Sequence, residues 1–238
     1  MGLGCILVLR GEKPEAENGN LLLDRLLGAR VVFSGERSRE EVAEEIAAEE
    51  AKAGRKPFSI PVGASDEYGS VGFVAAMEEY AAQAEALGLD PERIILASSS
   101  FGTQAGMCLG AKALGLRARI EGISIDSSLA ELQAGVSRVA NADSSRLGLR
   151  LSIAPSEVIG YDGYLGGGYA VMGKPEREAI ELAARKEGLL LDPVYTGRAM
   201  AGLIDLARRG VIAKGETLLF WHTGGSQALY AYAGELLS

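Results

Sequence analysis

The sequence has little that binds metals or forms covalent cross-links. Of its 238 residues only Cys5 and Cys108 are cysteine, and only His222 is histidine. Two cysteines do not build a disulfide framework, and a reducing cytoplasm suits such a chain. Both stand among apolar neighbours and read as small buried hydrophobes. One histidine without a cysteine or aspartate cluster leaves no zinc set, and without a Ser or Cys elbow it leaves no nucleophile–base pair. His222 therefore reads as structural. No apolar stretch reaches membrane-spanning length. Met1-Gly2-Leu3-Gly4-Cys5-Ile6 has neither the basic lead of a signal peptide nor the Ser or Thr that myristoylation wants at position six. Positive charge is short too. The net charge of -8 gives a surface that repels phosphate backbones, which sets nucleic acid aside as a partner. Sequence repeats, low-complexity tracts and long linkers are also missing.

What remains is ample core material, 47% hydrophobic, in a length that fits one large domain or two small ones. Strand-like and helix-like segments alternate. Cys5–Leu9, Arg30–Phe33, Phe58–Val62, Arg93–Ala97, Ala118–Ile125 and Thr217–Trp221 read as strands. Helices are predicted over Gly19–Leu27, Ser38–Ala53, Val71–Leu87, Thr103–Leu114, Ser127–Ala140, Pro175–Glu187, Gly197–Arg209 and Ser226–Leu237. Ser38 can cap its helix and Gly88 can end another. Repeated βα units imply an α/β fold, a parallel twisted sheet with helices on both faces. The least regular stretch, Asn141–Gly173, holds Tyr161, Tyr164, Tyr169 and the run Gly166-Gly167-Gly168. The apolar run Cys5–Leu9 reads like a buried strand, yet it follows Met1 almost at once. A domain rarely opens on such a strand, so further sequence is expected upstream.

Ser98-Ser99-Ser100-Phe101-Gly102-Thr103-Gln104-Ala105-Gly106 lies between a β-run and a helix, where α/β folds bind anions. Unpaired N–H groups and the helix dipole favour negative charge there, and Ser100, Thr103 and Ser98 add hydroxyls. The pattern is neither a dinucleotide fingerprint nor a Walker loop. A plain Ser-rich turn with Thr103 as helix N-cap fits the same residues. Two further motifs stand out, Asp192-Pro193-Val194-Tyr195-Thr196-Gly197-Arg198 and His222-Thr223-Gly224-Gly225.

Together these segments resemble the D-cysteine desulfhydrase and 1-aminocyclopropane-1-carboxylate deaminase family, pyridoxal-phosphate enzymes of fold type II with a tryptophan synthase β-like fold. Leu7–Gly11, Asn18–Asp24 and Ile60–Ser65 extend the likeness over nearly the whole chain. The resemblance implies that Ser100, Phe101 (through its N–H), Gly102 and Thr103 hold the cofactor phosphate. It places Thr223 beside the pyridine nitrogen, and Tyr195 and Tyr169 on the substrate side. Tyr161 and Tyr164 read as half-buried core residues. Ser99 and Phe101 depart from the small residues or glycines usual at their positions, so the Phe101 ring must point away from the phosphate. In the family the Schiff-base lysine sits in an Asn-Lys motif before the position of Leu7, and none of the seven lysines here has that context. The resemblance thus divides the chain into the remainder of a smaller domain, 1–65, and a larger cofactor domain, 66–238, and suggests a homodimer.

A carboxylate at the pyridine nitrogen makes a strong electron sink, whereas a neutral threonine does not. The deaminase branch carries Glu where this chain has Thr196. The implied reaction is therefore β-elimination on a small amino acid, D-cysteine first, once the lysine segment is supplied. 1-Aminocyclopropane-1-carboxylate deaminase and L-cysteate sulfo-lyase are the alternatives within the class. A non-catalytic subunit that binds pyridoxal phosphate, or serves only as a partner, is the alternative outside it.

Overall fold

The central strand of the molecule is apolar on both sides, and that decides its place. In the computed structural model, which describes residues 2–237, β3 (Arg93–Ser98) lies inside a four-stranded sheet of order β5-β4-β3-β6. Its neighbours are β4 (Arg119–Ser124) and β6 (Leu218–Phe220), with β5 (Ile159–Tyr161) beyond β4, all parallel. Successive side chains of a strand point to opposite faces. Ile94 and Leu96 pack with Met77 of α3 (Val71–Leu87) and Met107 and Ala111 of α4 (Gly102–Leu114). Ile95, facing the other way, packs with Ala199 and Leu206 of α7 (Thr196–Arg208). α5 (Leu129–Arg146) joins α4 on the first face, and α6 (Lys174–Glu187) lies beside α7. Both faces are covered, as the sequence predicts.

Chain contacts divide the molecule into two compact units, one ending at Ile60 and one beginning at Pro61. In the first, β1 (Ile6–Leu9) pairs in parallel with β2 (Arg30–Phe33), joined by α1 (Gly19–Leu26) and followed by α2 (Arg39–Lys52). Ser38 caps α2 as expected, accepting from the Glu41 N–H at 3.2 Å. β1 is half-buried rather than enclosed, and Cys5 is exposed, which corrects its reading as a buried hydrophobe: it stands one residue ahead of the strand. Cys108 is covered, packed between two core clusters, and burial pushes its thiol up to about 12.

Three other expectations need correction. Phe58–Val62 is not a strand. Pro61 cannot donate to a ladder, Gly63 takes φ +70, and the segment runs into a single turn of 3-10 helix with Phe58, Ile60 and Val62 exposed. β5 escaped notice because it has three residues and a central Gly160, where a Cβ would lie 2.1 Å from Leu132 Cδ2. Ser226–Leu237 forms 3-10 turns to Tyr232 and then one α-turn, α8 (Ala233–Leu236), rather than a continuous helix. α3 and α4 touch through Gly106, where a Cβ would stand 2.3 Å from the Ser70 carbonyl oxygen.

At the amino ends of the strands, buried Glu121 receives Arg93 Nη1 on both oxygens at 3.1 Å, Arg119 Nε at 3.1 Å and the Tyr161 hydroxyl at 3.0 Å. Arg93 Nε also donates to Glu216 at 2.5 Å. That bond, then one from the Ala213 N–H, holds the Glu216 carboxyl down at about 2. Its folded value lies below the unfolded 4.5. Its stabilising share is therefore present above the unfolded value and lost as pH falls through the folded one. We expect the gap in urea midpoint between the wild type and Glu216→Gln to stay constant above about pH 5 and to close toward pH 2. A gap that does not change with pH would contradict the pairing.

Candidate active site

The chain leaves β3 through α4 to β4, continues through α5 to β5, and returns through α6 and α7 to β6 on the other side of β3. The connections therefore reverse direction between β3 and β6. Open parallel sheets bind ligands outside the carboxyl ends of the strands at such a reversal. Two of the motifs lie there: the β3–α4 turn, Ser99–Phe101, and the loop after β6, Trp221–Gly225.

The β3–α4 turn forms a cradle. Phe101, at φ +74, sets the left-handed bend before α4, and its ring lies against Gly135 of α5, away from the turn's outer face. Phe101, not Thr103, occupies the N-cap position. Ala105 is the first residue of α4 whose N–H reaches a backbone carbonyl, that of Phe101. The N–H groups of the first turn before it are the ordinary orphan donors of a helix start. Gly102 N–H meets the Ser65 hydroxyl at 3.2 Å, and Ser65 Oγ lies 2.7 Å from Ser100 Oγ. A Cβ on Gly102 would stand 2.6 Å from Ser65 Oγ, so only glycine leaves this approach open. Beneath the turn Ser98 Oγ is buried without a partner among the described residues; it lies on the same strand face as Ile94 and Leu96, the side that α4 covers. A turn at a helix start with orphan N–H groups and the hydroxyls of Ser65 and Ser100 suits a phosphate group.

The second motif is locked by one carboxylate. Asp192 is fully buried and accepts from the N–H groups of Val194 at 2.8 Å, Tyr195 at 2.7 Å and Thr196 at 2.7 Å. It also accepts the Thr196 hydroxyl at 2.7 Å. The turn thereby caps α7 and presents Tyr195. Gly225 packs on this carboxylate: a Cβ there would lie 2.8 Å from Asp192 Oδ1, which brings the loop carrying Thr223 against the tyrosine turn. His222 takes the Gly224 N–H on Nδ1 at 3.1 Å and pairs Nε2 with the Leu190 carbonyl at 3.3 Å.

Tyr195 and Tyr169 come together. Their hydroxyls are hydrogen-bonded, and their rings meet edge to face with centroids 6.0 Å apart. Burial pushes the Tyr195 phenol far up, and the Tyr169 hydroxyl and the charges of Asp192 and Asp126 push it further. Asp126, after β4, also takes the Ser99 hydroxyl at 2.6 Å, so it joins cradle and tyrosine electrostatically. Tyr161 and Tyr164 are structural, donating to Glu121 and to Asp205.

The loop that carries Tyr169 is held by a residue the sequence does not single out. Arg198 is fully buried. It donates to Glu176 at 2.9 Å and to the carbonyls of Ile125 at 3.0 Å, Gly168 at 3.0 Å and Val171 at 2.9 Å. Tyr232 adds a bond to the Ala170 carbonyl at 2.7 Å. The sequence places Arg198 in a motif but shows nothing of its partners. Ser65, Glu176 and Asp126 were missed likewise, because their partners lie 22 to 37 positions away along the chain. Arg198→Leu leaves the buried Glu176 without its counter-charge, held only by the Gly173 N–H at 3.0 Å. We expect it to cost about 3–5 kcal/mol in urea unfolding, partly recovered by adding Glu176→Leu. A cost below about 1 kcal/mol would remove Arg198 from this role.

Known proteins share this fold. A family model described as "Pyridoxal-phosphate dependent enzyme" matches residues 1–224. A 1-aminocyclopropane-1-carboxylate deaminase of Rhizobium leguminosarum bv. viciae is 34% identical over 246 residues, covering 98% of this chain and 71% of its own length. A crystal structure of an ACC deaminase homologue superposes with a TM-score of 0.88 at 36% identity, over 99% of this chain and 70% of that one. A fungal L-serine ammonia-lyase from Rhizomucor miehei shares the fold alone, with a TM-score of 0.66 at 16% identity over 99% of this chain and 74% of its own. This chain belongs to the pyridoxal-phosphate-dependent enzymes of the tryptophan synthase β-like fold, in the 1-aminocyclopropane-1-carboxylate deaminase-like family.

Proposed function

We propose that the chain serves β-elimination from D-cysteine, giving pyruvate, ammonia and hydrogen sulfide. Residues 66–238 act as the cofactor domain in this reading, and the remainder of the smaller domain lies in 1–65. Ser100, Gly102 and Thr103, with the Phe101 N–H, hold the phosphate at the start of α4. Thr223 partners the pyridine nitrogen. Bound there, pyridoxal phosphate supplies an electron sink that acidifies the substrate α-carbon.

The surroundings of Asp192 favour β-elimination over the opening of a cyclopropane. The Thr196 hydroxyl is buried on Asp192, and both oxygens of Asp192 are already committed to its own turn. Neither is free for a ring nitrogen, and the partner left is the neutral hydroxyl of Thr223. A neutral partner gives a weaker sink. That is enough to expel a good leaving group from Cβ and poorly suited to opening a cyclopropane.

The tyrosine pair sets the proton positions. With its phenol pushed far up, Tyr195 stays protonated at neutral pH and acts as a donor, not as a base. One of the two hydroxyls spends its proton on the other, and the acceptor keeps its own for the substrate carboxylate or the departing sulfur.

The family places its cofactor-bearing lysine upstream of the position of Leu7, so the test uses the chain joined to such a segment. We expect pyruvate and sulfide from D-cysteine at about 100-fold higher kcat/KM than keto acid from 1-aminocyclopropane-1-carboxylate. Preference for the cyclopropane, or for L-cysteate, would overturn the assignment. For the chain by itself we expect Thr103→Val to weaken pyridoxal phosphate binding about tenfold in equilibrium dialysis. Borohydride should leave no cofactor attached, since none of its lysines sits in an Asn-Lys context. Equal binding by Thr103→Val would place the phosphate elsewhere.

A further inference from the structure

We propose that Asp143, buried on α5, is held in its protonated form and latches the 61–70 loop, thereby positioning Ser65 for the anion bound at the start of α4. Counting hydrogens assigns the proton. Ser70 Oγ is within hydrogen-bonding distance of the Asp66 carbonyl oxygen and stands 2.6 Å from Asp143 Oδ1. A serine hydroxyl has one proton, and a carbonyl oxygen has none. Two hydrogen bonds joining three oxygens need two protons. Ser70 supplies one to Asp66, so Asp143 supplies the other to Ser70. The remaining oxygen, Asp143 Oδ2, is buried with no partner among the described residues. As half of a carboxylate it would be a desolvated charge; as the carbonyl oxygen of a neutral acid it costs far less.

The electrostatic surroundings agree. Burial pushes the Asp143 carboxyl up, the Ser70 hydroxyl pulls the other way, and the nearby charges of Glu67 and Asp66 push it up again. Those two acids face it from the loop. From its own helix Arg146 is engaged with the Tyr68 ring, its guanidinium 3.8 Å from the ring centroid. α4 meets Ser70 through Gly106, which carries no charge.

The latch reaches the cradle through a short, stiff path. Asp66 Oδ1 accepts from the N–H groups of Tyr68 and Gly69 at 3.0 Å each, which closes the turn between Ser65 and Ser70. Ser65 then meets Ser100 Oγ and the Gly102 N–H. The role is one of positioning, and it rests on the reading of this cradle as the phosphate site.

A group whose folded pKa is raised gives stability that is full below its unfolded value and lost as pH rises through the folded one. The latch therefore loosens on the alkaline side. The experiment is peptide-resolved hydrogen exchange of residues 61–70 in the full chain without ligand, from just below the ordinary carboxyl value of 3.8 up to about pH 8, corrected for intrinsic rates. Asp143→Asn keeps a donor toward Ser70. It should match the wild type at low pH within about twofold and show no loosening with pH. Asp143→Ala should exchange about tenfold faster throughout, and the wild type should approach it as pH rises. Pyridoxal phosphate affinity by equilibrium dialysis should follow the same order. An Asp143→Asn loop as loose as that of Asp143→Ala, or an Asp143→Ala loop as tight as the wild type at the low end of the pH range, overturns the latch. Should Asp143→Ala fail to fold, the pH profiles of the wild type and Asp143→Asn decide, and parallel profiles refute it. If exchange follows the expected order but no form binds the cofactor, the latch stands and the phosphate reading falls.

Discussion

The tyrosine side of the site depends on one buried guanidinium. Arg198 joins four pieces of chain: its own helix α7, the start of α6 through Glu176, the end of β4 through Ile125, and the glycine loop through Gly168 and Val171. Desolvating a charge this completely is costly, and the structure offsets it with one carboxylate and three carbonyls. The compensation also sets the path of the loop. A loop with three successive glycines has no packing of its own to hold Tyr169 in place. The carbonyls that satisfy Arg198 give it a fixed path, so that Tyr169 meets Tyr195.

Asp192 performs the same service three residues before Tyr195. Its carboxylate is used up in capping α7, which fixes Tyr195, hides Thr196 and gives Gly225 a surface to pack on. Two buried charged groups thus place both tyrosines and bring the Thr223 loop beside them. The cradle is organised differently. It needs no buried ion pair, only a helix start, a left-handed Phe101 whose ring is anchored on Gly135, and serines drawn from two segments. The reversal of the sheet between β3 and β6 brings these parts to one end of the molecule.

The sheet and its helices were legible because burial on two faces writes itself into the sequence. Ile94-Ile95-Leu96 reads as an unbroken apolar run because α3 and α4 cover one face and α7 the other. Val71–Leu87 was readable to its last residue because Gly88 takes the left-handed conformation that ends it. Local pattern failed where context decides. Phe58–Val62 has strand-like side chains but contains a proline and runs into a left-handed glycine; β5 is too short to show a period. The motif residues Ser100, Thr103, Tyr195 and Thr223 could be picked out in advance. Ser65, Asp126, Asp143, Glu176 and the part played by Arg198 could not, since a buried polar residue declares itself only through a distant partner. Cys5 shows the converse: apolar neighbours in sequence do not cover a residue that precedes its strand.

The roles given to the cradle, the tyrosines and the Thr223 loop all depend on where the cofactor phosphate lies. Crystals of this chain grown with pyridoxal phosphate would locate it directly. Phosphate oxygens are expected within hydrogen-bonding distance of Ser100 Oγ and of the N–H groups of Gly102 and Thr103, with the ring extending toward Thr223. A phosphate bound at any other part of the molecule would contradict those roles.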